Sequence, residues 1–289
     1  FFCKQKTAYE MLRSLVGSEM CIRDSHLREL TSPQVREAAA RNTVLLLPFG
    51  QTEEHGDHLA LGTDSIIAEH VCDDVAAQAA GDPPVLVMPS IQYGYSGADM
   101  HEWPGTFVVR SQVVIDYVHD VCCSAIRSGF RKLILVSAHG HHTHLCVVVA
   151  RNVADATGVH IAVVTPTALD PAGWKSIRKS APGGCCHACE METSLLMHYG
   201  YPVDLSLASD EDRLRIDSRF VPADGRNPGN PGVWWSTWAL QKSKHGVYGD
   251  PTVATAETGR RFHEMMVARL LEFAKEFHAL GGERPSDRS

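Results

Sequence analysis

The sequence predicts an α/β fold: a mainly parallel central sheet covered on both faces by helices, a three-layer α/β/α arrangement. Two observations lead there. Short apolar runs of strand length alternate along the chain with longer stretches whose apolar residues recur at helical spacing. The 289 residues, 44% of them apolar, also suffice to cover a sheet on both sides.

The first strand is the run Val44–Phe49, ended by Gly50. A helix follows from about Ser65 to Ala80. Thr63-Asp64 caps it, and Ile66, Ile67, Val71 and Val75 share one face. Val85–Met88 reads as a strand stopped by Pro89. Ser111 opens a helix to about Ser128, with Val114, Tyr117, Val118 and Val121 as its apolar stripe. Leu133–Val136 is a buried strand that runs straight into a histidine cluster. Leu145–Ala156 reads as helix, Ile161–Val164 as strand and Glu190–Tyr199 as helix. Residues 222–233, rich in Gly, Pro and Asn, read as a loop, and a last helix runs from about Ala254 to Leu280.

One domain is therefore expected over residues 26–281, followed by a polar tail at 282–289. Residues 1–25 lack the apolar core of a signal peptide and resemble a translated sequencing adaptor. They are expected to be a non-native or disordered leader.

The net charge of -7 argues against a nucleic-acid partner, which needs a basic face. No window approaches the ~20 apolar residues of a membrane helix. Nine cysteines show no spacing that suggests a disulfide framework, so free thiols and a cytoplasmic location are expected. Cys186-x-x-Cys189 is a single pair without a partner pair, weak as a zinc knuckle.

Sixteen histidines are unusual, and four fall at His139, His141, His142 and His144. Imidazole is a common ligand of zinc and other transition metals. Glu53 and His55 lie two apart, so in an extended segment both aim the same way. The following helix start can return Asp64 to the same crevice, where its two oxygens suit it to bridge two ions. The competing reading has Glu53 and Glu54 solvated and Asp64 as a helix cap only. In His139-Gly140-His141-His142, three imidazoles this close disfavour protonation and suit neutral, ligating forms. A polar loop rich in histidine by chance is the alternative. His187 and Glu192, in the run His187–Ser194, can supply a general acid or base and a further ligand. A helix start with Glu near its N-terminus explains that run as well. Both His-bearing segments lie just past a strand, where parallel sheets bind ligands.

The run Gly50-Gln51-Thr52-Glu53-Glu54-His55-Gly56-Asp57-His58-Leu59, with Gly62-Thr63-Asp64, resembles the leading motif of the creatininase family. Val136–His142 is similar to that family's Asn-Gly-His-Gly-Gly-Asn turn, and His187–Ser194 to its His-Ala-Gly…Glu-Thr-Ser motif. Pro104-Gly105-Thr106 and Gly246–Pro251 match two further landmarks in order, so the resemblance spans roughly residues 40–265. It implies a creatininase-like fold and two divalent ions, zinc, manganese or iron. Glu53 would hold one ion with His139, His55 the other, and Asp64 would bridge. His187 would match the catalytic histidine, and either His141 or Glu192 would complete the second ion's ligands. Ser137 and His142 stand where the family has asparagines, and His141 where it has Gly or Glu, positions where substrate contacts are expected. Cys189 replaces a usual Gly and Ala60 a usual Pro.

The function so implied is metal-dependent hydrolysis of a C–N amide bond in a small cyclic amide or formamide, catalysed with His187 and His141, by a homo-oligomer, often a hexamer. Two other readings stand beside it: a peptidase trimming a short peptide precursor, and a non-catalytic metal-binding protein on the same fold. A serine hydrolase is disfavoured, because no Gly-x-Ser-x-Gly elbow is present.

Overall fold

The computed structural model of the protein describes residues 25–216, 220, 224 and 242–280. The expected leader (but for Ser25), the 222–233 loop (apart from Asp224) and the tail lie outside the described residues. Four strands form the central sheet: β1 (Val44–Phe49), β2 (Val85–Val87), β3 (Lys132–Ser137) and β4 (Ala162–Val164). Their order is β2-β1-β3-β4 and every pair is parallel. β1 and β3 are buried along their whole length, which is why each reads as a continuous apolar run and not an alternating one.

The two faces of the sheet separate by the period of two. Val44, Leu46, Ile134 and Val136 pack against α2 (Thr63–Ala79), α6 (Glu190–His198) and α7 (Ala256–Ala279). Leu45, Leu47, Phe49, Leu133 and Leu135 pack against α3 (Ser111–Arg127) and α4 (His142–Thr157). Trp174 and Ile177 of the short α5 (Pro171–Ile177) close the first core, and Ala38 of α1 (Ser32–Ala40) closes the second. The expected three-layer α/β/α arrangement is what forms. Each fully buried Leu, Ile or Val contributes about 1.5–3 kcal/mol, so the central strands anchor both layers.

Several elements differ from the sequence reading. α2 begins at Thr63 and α4 at His142, earlier than expected, so Asp64 and His142 lie inside helices. α1 and α5 were not expected, and neither was the antiparallel pair β5 (Cys185–His187) and β6 (Tyr248–Gly249). Both unexpected helices carry local start signals. Thr31 and Gln34 form a capping box before α1, and Asp170 accepts the Gly173 N–H at the head of α5.

From β1 the chain steps to β2 on one side of the sheet, then returns to β3 on the other. The carboxyl ends of β1 and β3 therefore flank a switch point, the usual place for a crevice in such sheets.

Candidate metal centre

Gly50 sets the geometry at the end of β1. A Cβ there would stand 2.3 Å from the backbone nitrogen of Ser65, so only glycine lets the strand end meet the first turn of α2. That contact brings Asp64 beside the segment carrying Glu53 and His55. All three residues are fully or almost fully buried. Ser96 Oγ donates to Glu53 Oε2, and Gln51 Nε2 donates to Ser96 Oγ at 3.0 Å. His55 Nδ1 lies 3.1 Å from the Glu53 carbonyl oxygen. With the proton on Nδ1 and donated there, Nε2 turns its lone pair toward Asp64, 3.6 Å from Oδ1.

His139 arrives from the end of β3. Its Nδ1 lies 2.9 Å from Asp64 Oδ2 and 3.3 Å from Glu53 Oε1. Ser137 Oγ donates to the His139 carbonyl at 3.0 Å and so shapes the turn. The ring of His142 stacks on Phe49 with centroids 4.0 Å apart, and its Nε2 accepts the Tyr95 N–H at 3.0 Å. Burial, reinforced by His139, holds His142 well below the usual histidine range.

His187 ends β5. Its Nε2 donates to the Glu54 carbonyl at 2.8 Å, leaving Nδ1 toward Glu53 Oε1 at 3.5 Å. Ala188 then adopts a left-handed conformation (φ 49) that swings the chain from β5 into α6. Glu192 lies in the first turn of α6, where a carboxylate is favoured by the helix dipole. Its Oε2 accepts the Cys189 N–H at 3.3 Å, fixing the carboxylate's direction.

Three donor sets result: Glu53–His55–His187, Glu53–Asp64–His139 and His55–Asp64–Glu192, each with ligand atoms within 4.8 Å of one another and all buried. Glu53, His55 and Asp64 are each common to two of them. The residues fit divalent cations. Glu53 Oε1 and His55 Nε2 are buried without a hydrogen-bond partner, a costly state that a cation relieves. Burial alone would depress His55, but Asp64, Glu192 and Glu53 outweigh it and push it up to about 10. Burial alone would raise Asp64, but His139 and His55 hold it well below the usual carboxylate range. The acids thus draw positive charge into the crevice, a demand that a metal ion meets while leaving the imidazoles neutral. Mixed carboxylate and imidazole donors suit zinc, manganese or iron.

Of the residues singled out in the sequence, Glu53, His55, Asp64, His139, His187 and Glu192 are brought together. His141 joins none of the three donor sets. Its Nδ1 accepts the Gly97 N–H at 3.1 Å, and burial, with His139, pushes its pKa down to about 3. Ser137 and His142 are wholly buried behind His139 and shape the turn, so neither faces open space. Three neighbours escaped the sequence reading: Ser96 on Glu53, Glu54 on His187, and Tyr248, whose ring centroid lies 6.4 Å from that of His187. Spacing gave no role for Ser96 or Tyr248, because each reaches the crevice through tertiary packing. Glu54, beside Glu53 in the leading motif, acts on His187 through its backbone carbonyl, which residue type does not signal. All the described cysteines are free thiols and buried. Among the described residues no helix is long and apolar enough to cross a membrane.

Residues 28–274 match the family model described as creatininase, creatinine amidohydrolase. The mycofactocin precursor peptide peptidase of Mycobacterium tuberculosis is 31% identical over 249 residues, 83% of this chain and 87% of that protein. The creatinine amidohydrolase of Pseudomonas putida is 36% identical over 106 residues, 35% of this chain and 39% of that protein. Among solved structures, a mutant creatininase of Zn–Zn type superposes with a TM-score of 0.74 at 24% identity, covering 88% of this chain and 98% of that one.

Proposed function

The chain belongs to the creatininase family of metal-dependent hydrolases, and from that premise we propose that it hydrolyses an amide C–N bond at a centre of two divalent ions. The observation that carries this reading is that the two oxygens of Asp64 face different histidines, Oδ2 toward His139 and Oδ1 toward His55, each in a separate buried donor set. Glu53, Asp64 and His139 would hold one ion, and His55, Asp64 and Glu192 the other. Such a pair polarises a carbonyl and lowers the pKa of water from ~15.7 toward ~7.

The chain's own residues do the rest. Ser96 and Gln51 hold Glu53 in place, and the Cys189 N–H holds Glu192. His187 keeps one proton on Nε2 through the Glu54 carbonyl, so Nδ1 is the atom that can carry a second proton to a leaving nitrogen. The deep burial of the acids excludes bulk water and strengthens each electrostatic contact.

We infer a short peptide as the favoured substrate class, because the peptide peptidases match most of this chain and most of their own length. A small cyclic amide is the second reading, supported by the shorter match to a creatinine amidohydrolase. The test is metal analysis of the purified protein, followed by a panel of short peptides, cyclic amides and formamides with and without chelator. About two ions per chain and chelator-sensitive release of an amine are expected. Protein that holds metal but cleaves nothing in the panel would favour a non-catalytic role, and chelator-insensitive cleavage would refute the metal mechanism.

A further inference from the structure

The turn Ser96–His101 forms one wall of the crevice, and it is pinned on both sides. Ser96 Oγ donates to Glu53, and the Ser96 carbonyl lies 3.0 Å from His101 Nε2. Met100 is 1% exposed and packs with Cys186, Leu214 and Tyr248. Between these anchors sits Asp99. Both of its carboxylate oxygens are shut off from solvent and have no hydrogen-bond partner. Among the described residues no lysine or arginine pairs with it.

Its position is defined by Gly97. The point where a Cβ on Gly97 would stand is 2.4 Å from Asp99 Oδ1 and 3.3 Å from His141 Nε2. A side chain at 97 would therefore displace the carboxylate, and glycine leaves it beside the His141 ring. That ring does not neutralise it. Nδ1 of His141 is already the acceptor of the Gly97 N–H, which fixes a neutral tautomer. On the other side the charge reaches Tyr248, whose hydroxyl is pushed up to about 12 by burial first and by Asp99 second. Tyr248 in turn neighbours His187. A carboxylate withdrawn from water without a partner is unfavourable by several kcal/mol, a state that persists at sites where a ligand supplies the missing donor.

We propose that Asp99 is a specificity-determining residue, receiving a cationic N–H group of the substrate, such as an ammonium or amidinium, next to the amide that is cleaved. This rests on the reading of the centre as an amide hydrolase and deepens it by naming the substrate's charge. A peptide with a free amino terminus beside the scissile bond has that chemistry. The amino group donates to Asp99 while the neighbouring carbonyl lies toward Glu53, His55 and Asp64. An anionic group in the same place would meet Asp99 as a like charge and be rejected.

The test uses the full, metal-loaded chain and matched amides of one shape: L-alaninamide, which is cationic, isobutyramide, which is neutral, and 2-methylmalonamate, which is anionic. Binding is read by calorimetry and cleavage by ammonia release. The wild type is expected to favour L-alaninamide over isobutyramide at least ~10-fold, about 1.4 kcal/mol, and to bind the anion most weakly. Asp99→Asn is expected to collapse that preference to within about twofold while leaving isobutyramide handling and metal content unchanged. Equal handling of the three amides by the wild type, no detectable binding of any, or an Asp99→Asn loss spread evenly over all three, would overturn the proposal. If calorimetry shows the preference and its loss in Asp99→Asn but no amide is cleaved, the recognition role stands and the hydrolase reading fails.

Discussion

Replacing Asp64 by Asn removes one charge and almost no volume from the point where two donor sets meet. Asp64 Oδ2 lies 2.9 Å from His139 Nδ1 and Oδ1 3.6 Å from His55 Nε2, so a single carboxylate faces both halves of the centre. A unit charge ~4 Å from another is worth about 4 kcal/mol at an effective dielectric of ~20. Losing it is expected to weaken each ion by roughly a thousandfold in Kd. Glu192→Gln serves as the comparison, since Glu192 belongs to one donor set only. Equilibrium dialysis at micromolar zinc or manganese, with metal counted per chain, is expected to give near zero ions for Asp64→Asn and about one for Glu192→Gln. The metal-free proteins add an independent check. Asp64 is depressed in the folded state, so its charge contributes stability above its unfolded pKa near 3.8 that is lost as pH falls further. Metal-free Asp64→Asn is therefore expected to melt below metal-free wild type at neutral pH, with the gap closing under acid. An Asp64→Asn protein that keeps two ions at wild-type affinity, or loses only one, would refute the sharing of this carboxylate.

His187→Ala is expected to keep the ions that the Asp64 sets hold and to lose ~10²–10⁴-fold in kcat, as removal of a general acid does; metal content and kcat on the same variant separate a proton carrier from a ligand. At Gly259 of α7 a Cβ would stand 1.9 Å from the Ser194 carbonyl oxygen of α6. Gly259→Ala is expected to cost about 1–3 kcal/mol, roughly 2–12 °C in Tm, and an unchanged melting curve would show that the helices yield freely. His141 and His142 are depressed by burial, so below their unfolded pKa of 6.5 the unfolded chain takes up protons that the folded chain refuses. Stability is expected to fall as pH drops from about 6.5 toward 3, and His142→Gln, measured by denaturant melts across that range, is expected to flatten the slope.

β1 and β3 are readable because strands buried on both faces must be apolar throughout, and the motif residues stand directly after them. Asp64 is readable for the same reason, as a helix start returning to a strand end. What escaped has physical causes. β5 is Cys185-Cys186-His187, three residues with no alternation, and it pairs with a strand some sixty residues away. α1 buries little more than Ala38, so its apolar stripe is faint and only its capping box marks it. Ser137 and His142 look like substrate contacts from their place in a motif, yet the stacking of His142 on Phe49 depends on how β1 and β3 pair. Asp99 lies in a stretch without periodicity, and its place beside His141 follows from Gly97 and from the Met100 anchor beneath the turn.

The donors of the centre are strung along the chain from Glu53 through His139 to Glu192, on segments that meet only once β1 has paired with β3 and α6 has docked. During synthesis the earlier donors leave the ribosome long before Glu192 does. A nascent chain exposing Glu53, His55 and Asp64 alone offers an incomplete and unassembled cradle; the Glu53–Asp64–His139 set needs β3 to have paired with β1, and the His55–Asp64–Glu192 set has to wait until α6 has emerged. The two sets would thereby be completed in order along the chain, the one with Glu192 only when the fold is closed.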